Sequence, residues 1–141
     1  MELPRAAEYA LRALAVIALR DAIVPADEIG REASVPLPYL HKVLRRLTAA
    51  GLLEARKGPG GGFSLARPPH KIRILDVLVA TDAQLADDCA FGWGSCDARH
   101  PCPLHGTWSE LKETIYSWAS KTTLADVHNY ASLVPLRRKS R

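Results

Sequence analysis

Three cysteines and a histidine, Cys89, Cys96, Cys102 and His105, crowd one stretch of the chain with the spacing C-x6-C-x5-C-x2-H. Thiolates are soft donors and imidazole a borderline one, so the set suits an iron–sulfur cluster or a Cys3His zinc site. Gly92, Gly94 and Pro101 let the segment turn back on itself, so that the thiols can converge on one centre. Structural zinc sites more often carry tight C-x2-4-C pairs, which are absent here. Free thiols or a switching disulfide form the third chemistry open to the set. An odd cysteine count argues against a secreted disulfide framework and for metal or redox use in a reducing compartment. His105 also stands where a helix is expected to begin, so capping is its alternative use, while His100 reads as exposed loop.

A second set of residues is cationic. Between Pro36 and Arg73 stand eight Lys or Arg (Lys42, Arg45, Arg46, Arg56, Lys57, Arg67, Lys71 and Arg73) against one acid, Glu54. The whole chain carries a net charge of only +4, so this is a local patch that suits a polyanion at one face. Within it, a helix expected over Leu37 to Ala50 divides by face at about 100° per residue. Leu40, Val43, Leu44 and Leu47 form the apolar back. Pro38, His41, Lys42, Arg45 and Ala49 form the front, with Arg46 on the flank and Tyr39 near the start. A helix of this kind fits the major groove, where Lys and Arg neutralise phosphates or donate to guanine, and Tyr39 and His41 hydrogen-bond near the bases.

A solvated basic face would look the same in isolation, so the neighbourhood decides. A short helix precedes the basic one across the turn Ser34-Val35-Pro36, and a glycine-rich hairpin follows it. Arg56, Lys57, Gly58, Pro59, Gly60 and Gly61 would form the tip of that hairpin, with bare backbone able to approach a phosphate or enter a narrow minor groove. No Gly-Lys-Ser/Thr follows these glycines, and they lie between two strands, so a nucleotide-binding loop is not indicated. The succession reads as a winged helix-turn-helix binding double-stranded DNA.

The elements that must position these sets follow from periodicity. Helices are expected at Pro4–Asp21, Ala26–Ala33, Leu37–Ala50 (stopped by Gly51), Ile72–Ala80, Leu104–Lys121 and Leu124–Ala131. Short strands are expected at Leu52–Ala55 and Phe63–Ala66, and Ala83 to Pro103 has no sustained period. Trp108, Leu111, Ile115 and Trp118 recur at steps of 3, 4 and 3, the spacing of a helix that packs on another helix. A subunit interface of a homodimer is the preferred use for this stripe. The fold class is thus mainly α: a winged helix-turn-helix domain over 1–82, a cysteine loop over 83–105, a dimerisation helix region over 106–133 and a basic tail over 134–141.

With 141 residues, 48% of them hydrophobic, the chain supports one modest core. The apolar run Ala13 to Leu19 is too short to span a bilayer and no secretory signal opens the chain, so a cytoplasmic location without membrane association is expected. No nucleophile–base pair, nucleotide motif or second cysteine set is visible, which speaks against an enzyme and makes an iron–sulfur electron carrier the weaker alternative.

At this point the residues resemble the Rrf-two family of winged-helix transcriptional regulators, of the iron–sulfur and nitric-oxide-responsive kind. The likeness covers roughly Leu3 to Val127. It rests on Pro38-Tyr39-Leu40 followed by Leu44-x-x-Leu47, on Gly51-Leu52-Leu53, on Lys57-Gly58-Pro59-Gly60-Gly61-Gly62-Phe63, and on the three cysteines ending in Cys-x-x-His. The resemblance implies a homodimer on a two-fold operator and a [2Fe–2S] or [4Fe–4S] cluster on Cys89, Cys96 and Cys102 that ties DNA affinity to nitric oxide, redox state or iron–sulfur supply. It implies as fourth ligand either His105 or a first-helix carboxylate, Glu8, which in that kind of regulator comes from the partner subunit. A histidine on the second helix is not available, because Ala33 occupies its place. His41 replaces a glutamate of the family's iron–sulfur regulators, which bears on operator sequence, and Lys57 replaces the arginine that usually opens the wing, keeping charge but losing the planar fork. A metal-free or zinc-binding thiol repressor is the alternative to the cluster.

Overall fold

The first helix, α1 (Arg5–Arg20), forms because a proline precedes it and no glycine interrupts it; Ala7, Ala10 and the run from Ala13 to Ala18 are buried. The structure, a computed structural model, describes residues 3–83 and 88–131. Next come α2 (Ala26–Ala33) and α3 (Leu37–Ala49), joined by a turn in which Ser34 takes a left-handed conformation and Val35 N–H donates to the Gly30 carbonyl. The back of α3 is buried as its periodicity requires, with Leu40, Leu44 and Leu47 fully enclosed. Gly51, at φ +76°, ends the helix. Its N–H reaches the Thr48 carbonyl, and Leu52 N–H reaches that of Leu47.

The wing consists of β1 (Leu53–Arg56) and β2 (Gly62–Leu65), antiparallel with Leu53 opposite Leu65 and Arg56 opposite Gly62. The strands lie within one residue of their expected bounds. On its other edge β2 meets the α1–α2 connection: Val24 and Phe63 exchange backbone hydrogen bonds of 2.9 Å. Gly62 makes that approach feasible, because a Cβ there would sit 2.4 Å from the Val24 carbonyl oxygen. The wing is therefore tied along β2 to the α1–α2 connection.

After a 3₁₀ turn at Pro69–Lys71, α4 runs over Ile74–Ala80. The pattern placed its start at Ile72. Ile72 and Ile74 instead lend their backbones to a short ladder with residues 122–124, through Ile74 N–H to Thr122 O and Leu124 N–H to Ile72 O, both 2.9 Å. This long-range pairing overrides local helix propensity, and Asp76 caps the delayed start by accepting from Arg73 N–H at 2.9 Å. The last helices are α5 (His105–Lys121) and α6 (Leu124–Ala131). One core joins α1, α2, α3, the wing base, Ile72, Val77 and Leu124; a smaller cluster of Ala7, Ile74, Leu78 and Ala119 seats α5 on α4. The expected basic tail lies outside the described residues. No helix of the described residues is long and apolar enough to cross a membrane.

Candidate nucleic-acid interface and cysteine centre

The apolar back of α3 fixes which side chains point outward. Pro38, Tyr39, His41, Lys42, Arg45 and Arg46 are all exposed. Tyr39 rests against Tyr9 of α1, with ring centroids 6.2 Å apart. Tyr9 in turn lies under the guanidinium of Arg12, 5.6 Å from the ring centroid, and Arg12 donates to the Ser34 carbonyl in the helix-turn-helix turn. Composition did not flag this stack, although the Glu8–Arg12 pair at i, i+4 is visible in the sequence. Arg46 differs from its neighbours: it donates to the Thr81 carbonyl at the end of α4, 3.3 Å away.

Arg56, Lys57, Gly58, Pro59 and Gly60 are exposed, and Gly61 is half-buried. Gly61 N–H closes a tight turn on the Gly58 carbonyl at 2.9 Å, and Gly60 at φ +74° takes a backbone conformation that side chains disfavour. Two cationic groups, one on a helix front and one on a hairpin shoulder, thus flank bare backbone. This is a surface for a phosphate backbone with a groove beside it.

The cysteine segment begins with a hairpin. Asp88 bridges Ser95, Cys89 N–H donates to the Gly94 carbonyl at 2.8 Å, and Gly92 N–H donates to that of Cys89 at 2.9 Å. Its tip carries Phe91 and Trp93, stacked at 4.9 Å and both exposed. Trp108 of α5 pins the base by donating from Nε1 to the Asp88 carbonyl at 2.9 Å. Cys89, Cys96 and Cys102 are half-buried free thiols.

The donors meet in two pairs. Cys96 Sγ lies 3.3 Å from His105 Nδ1, and the Cys89 thiol interacts with that of Cys102. His105 occupies the first position of α5, and its N–H bonds the Cys102 carbonyl at 3.0 Å, so the helix start turns the imidazole back toward the loop. Among the described residues, no three His, Cys, Asp or Glu side chains already form a closed metal shell. The Phe91 N–H, 3.4 Å from Sγ, holds the Cys89 thiol below the usual range, helped by the Trp93 and Gly92 amides. Burial pushes the Cys102 thiol up, and the neighbouring Cys89 and Cys96 sulfurs push it further. Crowded sulfur charge of this kind is what a soft cation relieves, so the donor set fits a thiolate-bound metal group. Glu8 stands elsewhere, ion-paired with Arg12 on its own helix. Asp97 and His100 pair with each other at 3.1 Å on an exposed turn.

On α5, Ala119 alone is buried; Leu111 and Trp118 are 45% and 46% exposed, and Trp108 and Ile115 are half-buried. The helix presents most of its apolar stripe to the outside of this single chain.

The winged fold and its cationic face define a DNA-binding transcriptional regulator, and the comparisons agree. Residues 3–130 match the family model Rrf2, described as an iron-dependent transcriptional regulator, and the chain belongs to that family. It is 41% identical over 125 residues to a helix-turn-helix-type regulator of Aquifex aeolicus, covering 86% of this chain and 87% of that one. It is 31% identical over 131 residues to the regulator IscR of Yersinia pseudotuberculosis, covering 92% and 80%. Two solved structures share the fold. CymR of B. subtilis, titled a global cysteine regulator, has a TM-score of 0.78 at 17% identity, covering 92% and 98%. IscR of T. potens has a TM-score of 0.76 at 22% identity, covering 99% and 94%. The relatives are named as regulators, and the chain is not an enzyme.

Proposed function

We propose that this regulator binds its operator as a homodimer and that its affinity is set by an iron–sulfur cluster held by Cys89, Cys96, Cys102 and His105. The observation that carries the reading is the approach of His105 Nδ1 to Cys96 Sγ at 3.3 Å, beside the Cys89–Cys102 pair. It favours His105 over Glu8 as fourth ligand, because Glu8 is engaged by Arg12. When bound, the cluster would supply a redox- and nitric-oxide-reactive metal centre.

The chain's own residues then have defined tasks. His105 ties the ligand loop to the first turn of α5, and Trp108 ties the same helix to the hairpin base. The stripe of Trp108, Leu111, Ile115 and Trp118 meets the same stripe of a second copy, which sets the distance between two α3 helices across the dimer axis. Pro38, Tyr39, His41 and Arg45 read one half-site, and Lys42 beside them neutralises a phosphate. Arg56, Lys57 and the Gly58–Gly61 turn grip the adjacent backbone. A 100-fold change in affinity needs only about 2.7 kcal/mol of coupling between the two sites.

The test is anaerobic purification with an absorption spectrum and iron, sulfide and zinc analysis on one sample. Matched iron and sulfide, abolished in Cys96→Ala and depleted in His105→Ala but not in Glu8→Gln, is the expected result. A second reading rests on the mutual influence of the Cys89 and Cys102 thiols on one another's titration: a metal-free thiol regulator in which an oxidant joins these two sulfurs. Colourless protein that stays metal-free after reconstitution, yet loses operator binding under diamide, would establish it instead.

A further inference from the structure

Arg46 lies in the last turn of α3, beside Lys42 and Arg45, and its charge alone would assign it to DNA. Its geometry does not. Its guanidinium reaches across to the Thr81 carbonyl, 3.3 Å away, at the C-terminal end of α4. That end is itself well fixed. Thr81 is the one buried polar residue among the described ones, and its hydroxyl donates to the Val77 carbonyl at 2.9 Å. Asp82 takes a left-handed φ of +53°, and Ala83 N–H closes back on the Leu78 carbonyl at 2.9 Å. A helix C-terminus carries unsatisfied carbonyls and partial negative charge, so a cation there is both hydrogen-bonded and electrostatically favoured.

The position of this contact matters more than its strength. The end of α4 is where the chain leaves the winged domain for the cysteine segment, which begins six residues beyond Asp82 in sequence at Asp88. The same helix seats α5, through Ile74, Leu78 and Ala119. The other end of the contact is the DNA-reading helix, whose carbonyl at Arg46 already caps α3 by accepting from Ala50 N–H at 3.0 Å.

We propose that Arg46 is a positioning residue: it holds the end of α3 against the end of α4, so that the state of the cysteine segment reaches the DNA-reading helix, and it neutralises no phosphate. The coupling half of this rests on the cluster-control reading; the assignment of Arg46 away from the phosphates does not.

The experiment uses full-length wild type, Arg46→Met and Arg46→Lys, with a duplex selected from a random-sequence pool by the wild-type protein. Affinity is measured between about 50 and 300 mM salt, in metal-loaded and metal-free forms. Each phosphate contact contributes about one unit to the slope of log affinity against log salt. The expected result for Arg46→Met is a slope equal to wild type and a loaded-to-free affinity ratio at least about fivefold closer to one, the lower end of common coupling factors. Arg46→Lys, which can still donate to the carbonyl, is expected to recover part of that ratio. A slope shallower by about one in Arg46→Met, restored in Arg46→Lys with the ratio intact, would overturn the proposal and return Arg46 to the phosphate contacts. A wild-type ratio of one overturns the cluster control and the coupling together, while the slopes still decide where the guanidinium acts.

Discussion

The helix-turn-helix half and the α5 half of this molecule are built to different standards of burial. In the first, Leu14, Ile17, Ile29, Leu40, Leu44 and Leu47 are all enclosed, and β2 is hydrogen-bonded on both edges. In the second, a helix of 17 residues buries Ala119 alone, and exposes Leu111, Tyr116 and Trp118. The same chain has thus finished one half and left the other open. A finished half is what a rigid DNA reader requires; an open apolar face beside crowded thiols is where the proposed second subunit and bound group would act.

Paired truncations put this contrast to its hardest test. Leu44→Ala empties a fully buried site and is expected to cost about 3 to 4 kcal/mol of unfolding free energy in denaturant titrations. Leu111→Ala, at 45% exposure, is expected to cost under about 1 kcal/mol in dilute protein. Equal costs in dilute protein would mean that α5 is already buried within its own chain, and the contrast would fail.

The next largest effect sharpens the use of the open face. Introducing charge with Leu111→Glu and Trp118→Glu together is expected to convert a dimer to a monomer in sedimentation equilibrium. Operator affinity is expected to fall about 100-fold, which corresponds to about 2.7 kcal/mol. The Tm of the winged half should move little. A dimer that survives both charges would place the interface on another surface.

The two halves also differed in how far they could be read from sequence. The first was legible because local rules and tertiary packing agree there: the stripe Leu40, Val43, Leu44 and Leu47, the stop at Gly51 and the glycine-rich tip each report what the fold does with them. The start of α4 was misplaced by two residues because Ile72 pairs with Leu124, a contact no local pattern announces. In the cysteine segment, spacing identified the donors but not their pairing, since the Cys96–His105 contact depends on where α5 begins. Arg46 and Lys42 look alike as letters. Only the arrival of Thr81 from a distant helix separates them.

A smaller effect checks the finished half at its DNA face. Lys42→Gln and Lys57→Gln are each expected to lower the slope of log affinity against log salt by about one unit, uniformly across duplex sequences. Their stability should be unchanged within about 0.5 kcal/mol, because both side chains are exposed. A sequence-selective loss in Lys42→Gln would instead make that lysine a reader of base edges.

The smallest effect lies at the seam between the halves, where Asp76 caps α4 beside the 72–124 ladder. Burial pushes the Asp76 carboxyl up, but hydrogen bonds from Arg73, its backbone and its charge outweigh this and hold the group below the usual carboxylate range. A carboxylate whose folded pKa lies below its unfolded value stabilises the fold above the unfolded pKa, and that stabilisation disappears as pH falls through the folded value. Asp76→Ala is therefore expected to cost about 1 kcal/mol at neutral pH, the usual worth of a cap. The deficit should shrink steadily in unfolding titrations carried below about pH 4, where the wild-type carboxylate begins to take up its proton in the unfolded chain. If the deficit instead stays constant down to acid pH, Asp76 acts through packing alone and the ion pair with Arg73 adds nothing at the seam. If it shrinks as expected, the α4 start is held by charge at a place where the finished half meets the open one.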